Sequence, residues 1–149
     1  MTAYDLATRY VGIRELGDGL DHPLIRWWLS LCGFGLAAAD EIAWCSAFVN
    51  GITWELRLPR SKSAAARSWL LVGRPIPLEE AKAENDVVVL VRGSGAQPGP
   101  DVIAAPGHVG FFAGREGDRV FLLAGNQGNA VSVAGFPVDN ILGVRRLVH

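Results

Sequence analysis

The sequence predicts an α+β domain, helices first and an antiparallel sheet after them. Two observations carry this reading. Apolar residues recur at three- and four-residue spacing through about the first 72 residues, and from about residue 85 short β-rich runs alternate with Gly, Pro and charged turns. The 149 residues, half of them hydrophobic, fit a single domain over 1–149 with a helical half at about 1–72 and a sheet half at about 85–149.

Within 3–36, Leu6, Tyr10 and Val11, then Leu24, Ile25, Trp28 and Leu29, fit two short helices separated by the turn Gly17-Asp18-Gly19. A third helix is expected from Ile42 through Cys45, Phe48 and Val49 to about Asn50, with Asp40 or Glu41 as its cap and Gly51 as its stop. Cys45 then falls in the first turns of a helix. Ser61–Leu71 reads as a fourth helix, ended by Gly73, Pro75 and Pro77. Strands are expected at Val87–Val91, Val109–Ala113, Val120–Ala124 and Ala130–Val133, with Ile141–Leu147 as a fifth. Between Arg92 and Gly107 lies a Gly-, Ser- and Pro-rich loop. Its Arg92-Gly93-Ser94-Gly95 is not a phosphate cradle, because the stretch leads into a strand and not into a helix N-terminus; a mobile loop beside a site fits better.

Composition narrows the partners. Fourteen basic against 15 acidic residues give a net charge of −1, and with it no electrostatic case for a nucleic-acid partner. The start Met1-Thr2-Ala3-Tyr4-Asp5-Leu6 has neither the basic start nor the apolar run of a secretory signal. Nowhere do about 18 apolar residues run together. The expectation is a monomer made in the cytoplasm, without a membrane partner. Two cysteines are too few for a disulfide scaffold, so each is a core thiol or a reactive one.

A cysteine attacks as the thiolate, and a helix N-terminus together with a neighbouring imidazolium lowers its pKa. Cys45 is placed for both. The competing reading is a buried thiol between Trp44 and Phe48. Of the three histidines, His149 is the final residue of the sequence and is expected to fray, and His22 before Pro23 fits a surface or capping role. His108 follows Pro106-Gly107 at the mouth of a strand, where its ring can project from the sheet edge toward a packed helix. Asn126, closing the next strand, is the candidate that orients the imidazole. Gln127 competes, since a one-residue slip exchanges the faces of the two side chains. No C-x-x-C or H-x-x-x-H spacing supports a metal site, no G-x-S-x-G elbow supports a serine nucleophile, and no cofactor is expected.

The segments Asp40-Glu41-Ile42-Ala43-Trp44-Cys45-Ser46-Ala47-Phe48-Val49-Asn50, Ala65-Ala66-Arg67-Ser68-Trp69-Leu70, Gly107-His108-Val109-Gly110-Phe111-Phe112, Gly125-Asn126-Gln127 and Ile141-Leu142-Gly143-Val144-Arg145-Arg146 occur in one order along the chain. In that order they resemble the small papain-like cell-wall hydrolases of the CHAP/NlpC type, phage endolysins among them. The amino-terminal Gly12-Ile13-Arg14-Glu15-Leu16-Gly17 resembles the opening of those proteins, so the likeness spans nearly the whole chain. It implies a papain-like fold with Cys45 as nucleophile, His108 as base and then acid, and Asn126 as orienter. The reaction implied is cleavage of an amide bond in peptidoglycan through a thioester, by a cysteine peptidase or an N-acetylmuramoyl-L-alanine amidase. Trp44, Trp69, Gln127 and Glu41 are candidates to line the substrate groove. Without a signal, access to the wall implies release by a holin or delivery by an injection device. An interbacterial amidase toxin and a tail-associated wall hydrolase share this site. A catalytically silent wall-binding module predicts a long Cys45–His108 separation or a blocked cleft, and a small-molecule acyltransferase needs a deep closed pocket.

Overall fold

A computed structural model describes residues 1–16, 22–33 and 43–149. Three α-helices, α1 (Ala3–Thr8), α2 (Pro23–Ser30) and α3 (Cys45–Leu56), precede strands β1 (Arg74–Pro75), β2 (Asp86–Val91), β3 (Gly107–Glu116), β4 (Arg119–Gln127), β5 (Ala130–Pro137) and β6 (Ile141–Arg146). The strands form one antiparallel sheet in the order β1-β6-β2-β3-β4-β5. Alternation along the strands divides the apolar residues between two clusters. Val87, Val89, Val109, Phe111 and Leu123 pack with the helices, whereas Val88, Leu90, Phe112, Leu122 and Val144 form a second cluster on the opposite face.

Helix α3 lies on the sheet's first face, where Phe48 meets Phe111 edge-on with ring centroids 6.1 Å apart. It begins at Cys45, after Trp44 as N-cap residue without a side-chain cap bond. The expected caps Asp40 and Glu41 lie outside the described residues. Gly51 does not stop the helix, which continues to Leu56 and ends where Arg57 turns left-handed at φ 58°. The reason is packing: a Cβ on Gly51 would lie 2.2 Å from Cδ1 of Trp28, so glycine here admits the indole of α2. His22 has the capping role, its Nδ1 accepting from the Leu24 N–H at 3.1 Å as Pro23 opens α2.

The expected helix over 61–71 is only a 3₁₀ segment, Ala66–Leu71. Side chains from α3 capture the backbone before it. Asn50 Oδ1 accepts from the Lys62 N–H at 2.9 Å, Asn50 Nδ2 donates to Ser63 O at 3.3 Å, and Ser46 Oγ donates to Ser63 O at 2.5 Å. Those groups are thereby lost to a helical ladder. The same contacts hold Ala64–Ala66 beside the start of α3. Across the sheet, β2 and β6 are joined by the buried Asp86, whose carboxylate receives Arg146 Nε at 2.9 Å. His149 is not loose: its Nε2 lies 2.9 Å from Arg57 O. Among the described residues no helix is long and apolar enough to cross a membrane.

Candidate active site

Two supports fix the first residue of α3. Residues 12–15 run beside β5 through the Gly12 N–H to Val131 O, the Val131 N–H to Ile13 O and the Glu15 N–H to Asn129 O, and Glu15 Oε1 then accepts from Trp44 Nε1 at 2.7 Å. From the sheet side, Gly125 in β4 lets Trp44 approach, since a Cβ there would stand 2.6 Å from the indole. Trp44 is thus a fully buried positioning residue and does not line a groove. Trp69 is fully buried too, donating from Nε1 to Ser46 Oγ at 2.9 Å. Burying these large apolar side chains in the core, with each N–H satisfied, outweighs leaving them at a rim. Glu41 lies outside the described residues.

Cys45 is 2 % exposed, and the backbone of Val109, the residue after His108, lies against its sulphur. Burial pushes the thiol above its ordinary value. The Val109 backbone, the Arg92 guanidinium and the backbone of Ser46 and Cys45 at the helix start pull the other way. The histidine is 7 % exposed and faces away from α3, toward the second apolar cluster, with its ring 5.4 Å from that of Phe136. Burial holds its pKa below the ordinary value, the Gln127 hydrogen bond opposes that, and Arg92 adds to the lowering. Both groups are therefore neutral near pH 7. No hydrogen bond joins the Cys45 sulphur to the imidazole; the two open onto adjacent hollows that share Arg92.

The partner of the imidazole is Gln127. Its Oε1 lies 2.9 Å from His108 Nε2, while its Nε2 donates to Ser132 O at 2.7 Å and Leu122 O at 3.3 Å. Two carbonyl acceptors fix which end of the amide faces the ring, so His108 carries its proton on Nε2 and leaves Nδ1 with a lone pair. Asn126, the expected orienter, makes no hydrogen bond to His108. It sits at φ 59° in a break of the β4–β5 register between Ala124 and Gln127, and that irregularity turns Gln127 to the face where Leu122 and His108 lie. Asn126 does line the hollow in front of the imidazole.

One contributor went unassigned in the sequence reading. Arg67 is fully buried and donates from Nε to Pro106 O at 2.9 Å and from Nη1 to Pro98, Gly99 and Val102 carbonyls at 3.0, 2.8 and 3.2 Å. The 92–107 loop, expected to be mobile, is thus tied down over its second half, and Pro106 is set just before the strand that carries His108. The only available signal was a charged residue inside the apolar run Ala64-Ala65-Ala66-Arg67-Ser68-Trp69-Leu70. Among the described residues no group of three or more His, Cys, Asp or Glu could hold a metal ion.

Placed in this way, the site combines a thiol at a helix start, a neutral imidazole of fixed tautomer and an amide that holds it, which are the parts of a thiol acyl-transfer centre. The sequence matches no protein-family model and no curated protein. Among solved structures the fold is similar to that of NlpC1 from Trichomonas vaginalis, with a TM-score of 0.52 and 14 % identity over 97 % of this chain and 42 % of that one. The chain therefore spans less than half the length of that neighbour, and what the likeness establishes is an NlpC-type α+β fold.

Proposed function

We propose that this chain is a cysteine-dependent hydrolase of amide bonds in bacterial cell-wall peptides, an endolysin-like enzyme with Cys45 as nucleophile and His108 as base. The observation that carries the reading is the seating of the Cys45 sulphur on the backbone of Val109, next to a histidine whose Nε2 is occupied by Gln127. A neutral thiol and a neutral imidazole are the starting pair for general-base attack. Because no hydrogen bond joins the two side chains, one bridging water carries the thiol proton to Nδ1 of His108 as the sulphur bonds to the substrate carbonyl carbon. The imidazolium then gives that proton to the amine as the C–N bond breaks. Water, deprotonated by the same nitrogen, adds to the thioester; the acid leaves and the thiol is restored. The Cys45 N–H at the start of α3 is the donor in place for the oxyanion. Gln127, and not Asn126, holds the ring during both proton transfers.

The test is turbidity loss of purified peptidoglycan with wild type and Cys45→Ala, followed by mass spectrometry of the fragments. Lysis by wild type alone with new amino termini supports the reading, and the masses name the bond. Lysis by both proteins, or by neither, removes it. A second reading, a catalytically silent module that kept the fold, is favoured by the 2 % exposure of Cys45 and by the missing thiol–imidazole hydrogen bond. It predicts that Cys45 resists alkylation by iodoacetamide in the native state and that His108→Ala leaves wall binding unchanged.

A further inference from the structure

Arg92 follows the last residue of β2 and is exposed at the boundary between two hollows. One, beside Cys45, has walls of small residues including Ala43, Ala65 and Ala105. The other, in front of His108, includes Asn126, Gln127 and Phe136. Arg92 belongs to the lining of both. Neither lining contains a carboxylate among the described residues, and no described carboxylate forms an ion pair with Arg92. Other arginines of the fold are engaged: Arg67 by four carbonyls, Arg146 by Asp86, Arg145 by Leu70 O and Val144 O, Arg119 by Gly135 O. A chain crossing from the first hollow to the second passes this guanidinium, which is built to hold two carboxylate oxygens at once.

We infer that Arg92 is a specificity-determining residue that binds a carboxylate of the substrate next to the bond being cut. An acidic peptide is then selected over its amidated counterpart. A charge-assisted pair at an exposed guanidinium gives about a 3- to 10-fold preference. Lysine keeps the charge but not the fork, so it retains part of the preference; alanine abolishes it and glutamate reverses it. The neutral thiol and imidazole add no competing charge to either hollow.

That the anion is a wall peptide rests on the proposed function, so the experiment separates the two claims. Peptidoglycan is used as isolated and after its free carboxyls are converted to carboxamides with carbodiimide and ammonia. Wild type, Arg92→Lys, Arg92→Ala and Arg92→Glu are compared for initial rate. Sedimentation binding is measured in parallel with Cys45→Ala alone and with each Arg92 change added. The expected result is preferential binding and turnover of native wall by proteins with Arg92, lost in Arg92→Ala with KM affected more than kcat. Equal binding of native and amidated wall by Cys45→Ala overturns the inference even if hydrolysis is observed. Arg92-dependent binding without any hydrolysis sustains it while removing the hydrolase reading.

Discussion

Gln127 Oε1 lies 2.9 Å from His108 Nε2, and the Gln127 amide nitrogen is already committed to the carbonyls of Ser132 and Leu122. The amide therefore acts on the ring in one sense only, as an acceptor for Nε2–H, and it leaves Nδ1 unprotonated. On the proposed chemistry, Gln127→Ala frees the ring to rotate and to change tautomer, and kcat falls about 100-fold. Asn126→Gly removes the neighbouring side chain at a left-handed position that glycine adopts without strain, so kcat stays near wild type. Steady-state rates of the two variants on solubilised wall fragments decide between these residues; a larger loss in Asn126→Gly would reverse the assignment.

Burial holds the His108 pKa below the ordinary 6.5 and outweighs the opposing Gln127 bond. A base must be unprotonated, so the acid limb of kcat/KM lies below pH 6.5. Gln127→Glu places a carboxylate on Nε2, favours the imidazolium and moves that limb upward. The same shift acts on stability. The unfolded chain takes up this proton at about 6.5, while the folded chain resists it. Stability from this group is therefore present above 6.5 and is lost as pH falls from 6.5 through the folded value. Cys45 has the opposite sense: its raised pKa makes folding weaker as pH rises past the ordinary thiol value of 9.0. Melting curves from pH 4 to 10 for wild type, His108→Asn and Cys45→Ala check both signs. A wild-type acid limb above 6.5 contradicts the burial argument.

The helix-then-sheet order and the five longer strands were legible because spacing of three and four, or of two, is a one-dimensional signal. Cys45 and His108 stood out because few other residues could act as nucleophile and base. What escaped depended on partners distant in sequence. Gly51 reads as a helix stop until Trp28 is seen against it, and Ser61–Ala65 reads as helix until Asn50 and Ser46 take its backbone groups. The choice between Asn126 and Gln127 turned on a single irregularity in β4, which leaves no compositional trace. The tryptophans offered as groove walls were core, since an indole whose N–H meets an acceptor such as Glu15 or Ser46 has no reason to stay at a surface.

Two glycines set how closely α3 packs, with separable consequences. Gly51→Ala places a methyl 2.2 Å from Trp28 Cδ1, on the flank of α3 away from Cys45, and costs about 1–3 kcal/mol of stability. Gly125→Ala places one 2.6 Å from Trp44 and 2.9 Å from Phe48 Cβ, directly under the residue that starts the helix. The second variant should lose activity beyond its loss of stability, because displacing Trp44 moves the Cys45 sulphur off the Val109 backbone. Urea midpoints paired with Cys45 alkylation rates separate the cases. Equal alkylation rates in the two variants would refute the coupling between Gly125 and the thiol.

Arg67 tests whether the loop between β2 and β3 is held or merely rests on the surface. The guanidinium is fully buried without a carboxylate among its recorded partners, and its Nη2 has no hydrogen-bond partner, so it stays inside because four loop carbonyls receive it. Arg67→Met keeps most of the volume and the apolar stem but leaves those carbonyls to water. The expected cost is about 2 kcal/mol, because losing several charge-assisted hydrogen bonds outweighs the relief of removing a buried charge. The loop should open first: amide exchange at Gly99–Ala105 accelerates at denaturant concentrations where β2–β4 remain protected. Because Pro106 and Gly107 lead into His108 and Ala104 and Ala105 wall the hollow beside Cys45, the same opening lowers the proposed activity. Unchanged exchange in the loop, with exchange in the sheet raised instead, would mean that Arg67 supports the core and not the wall of the site.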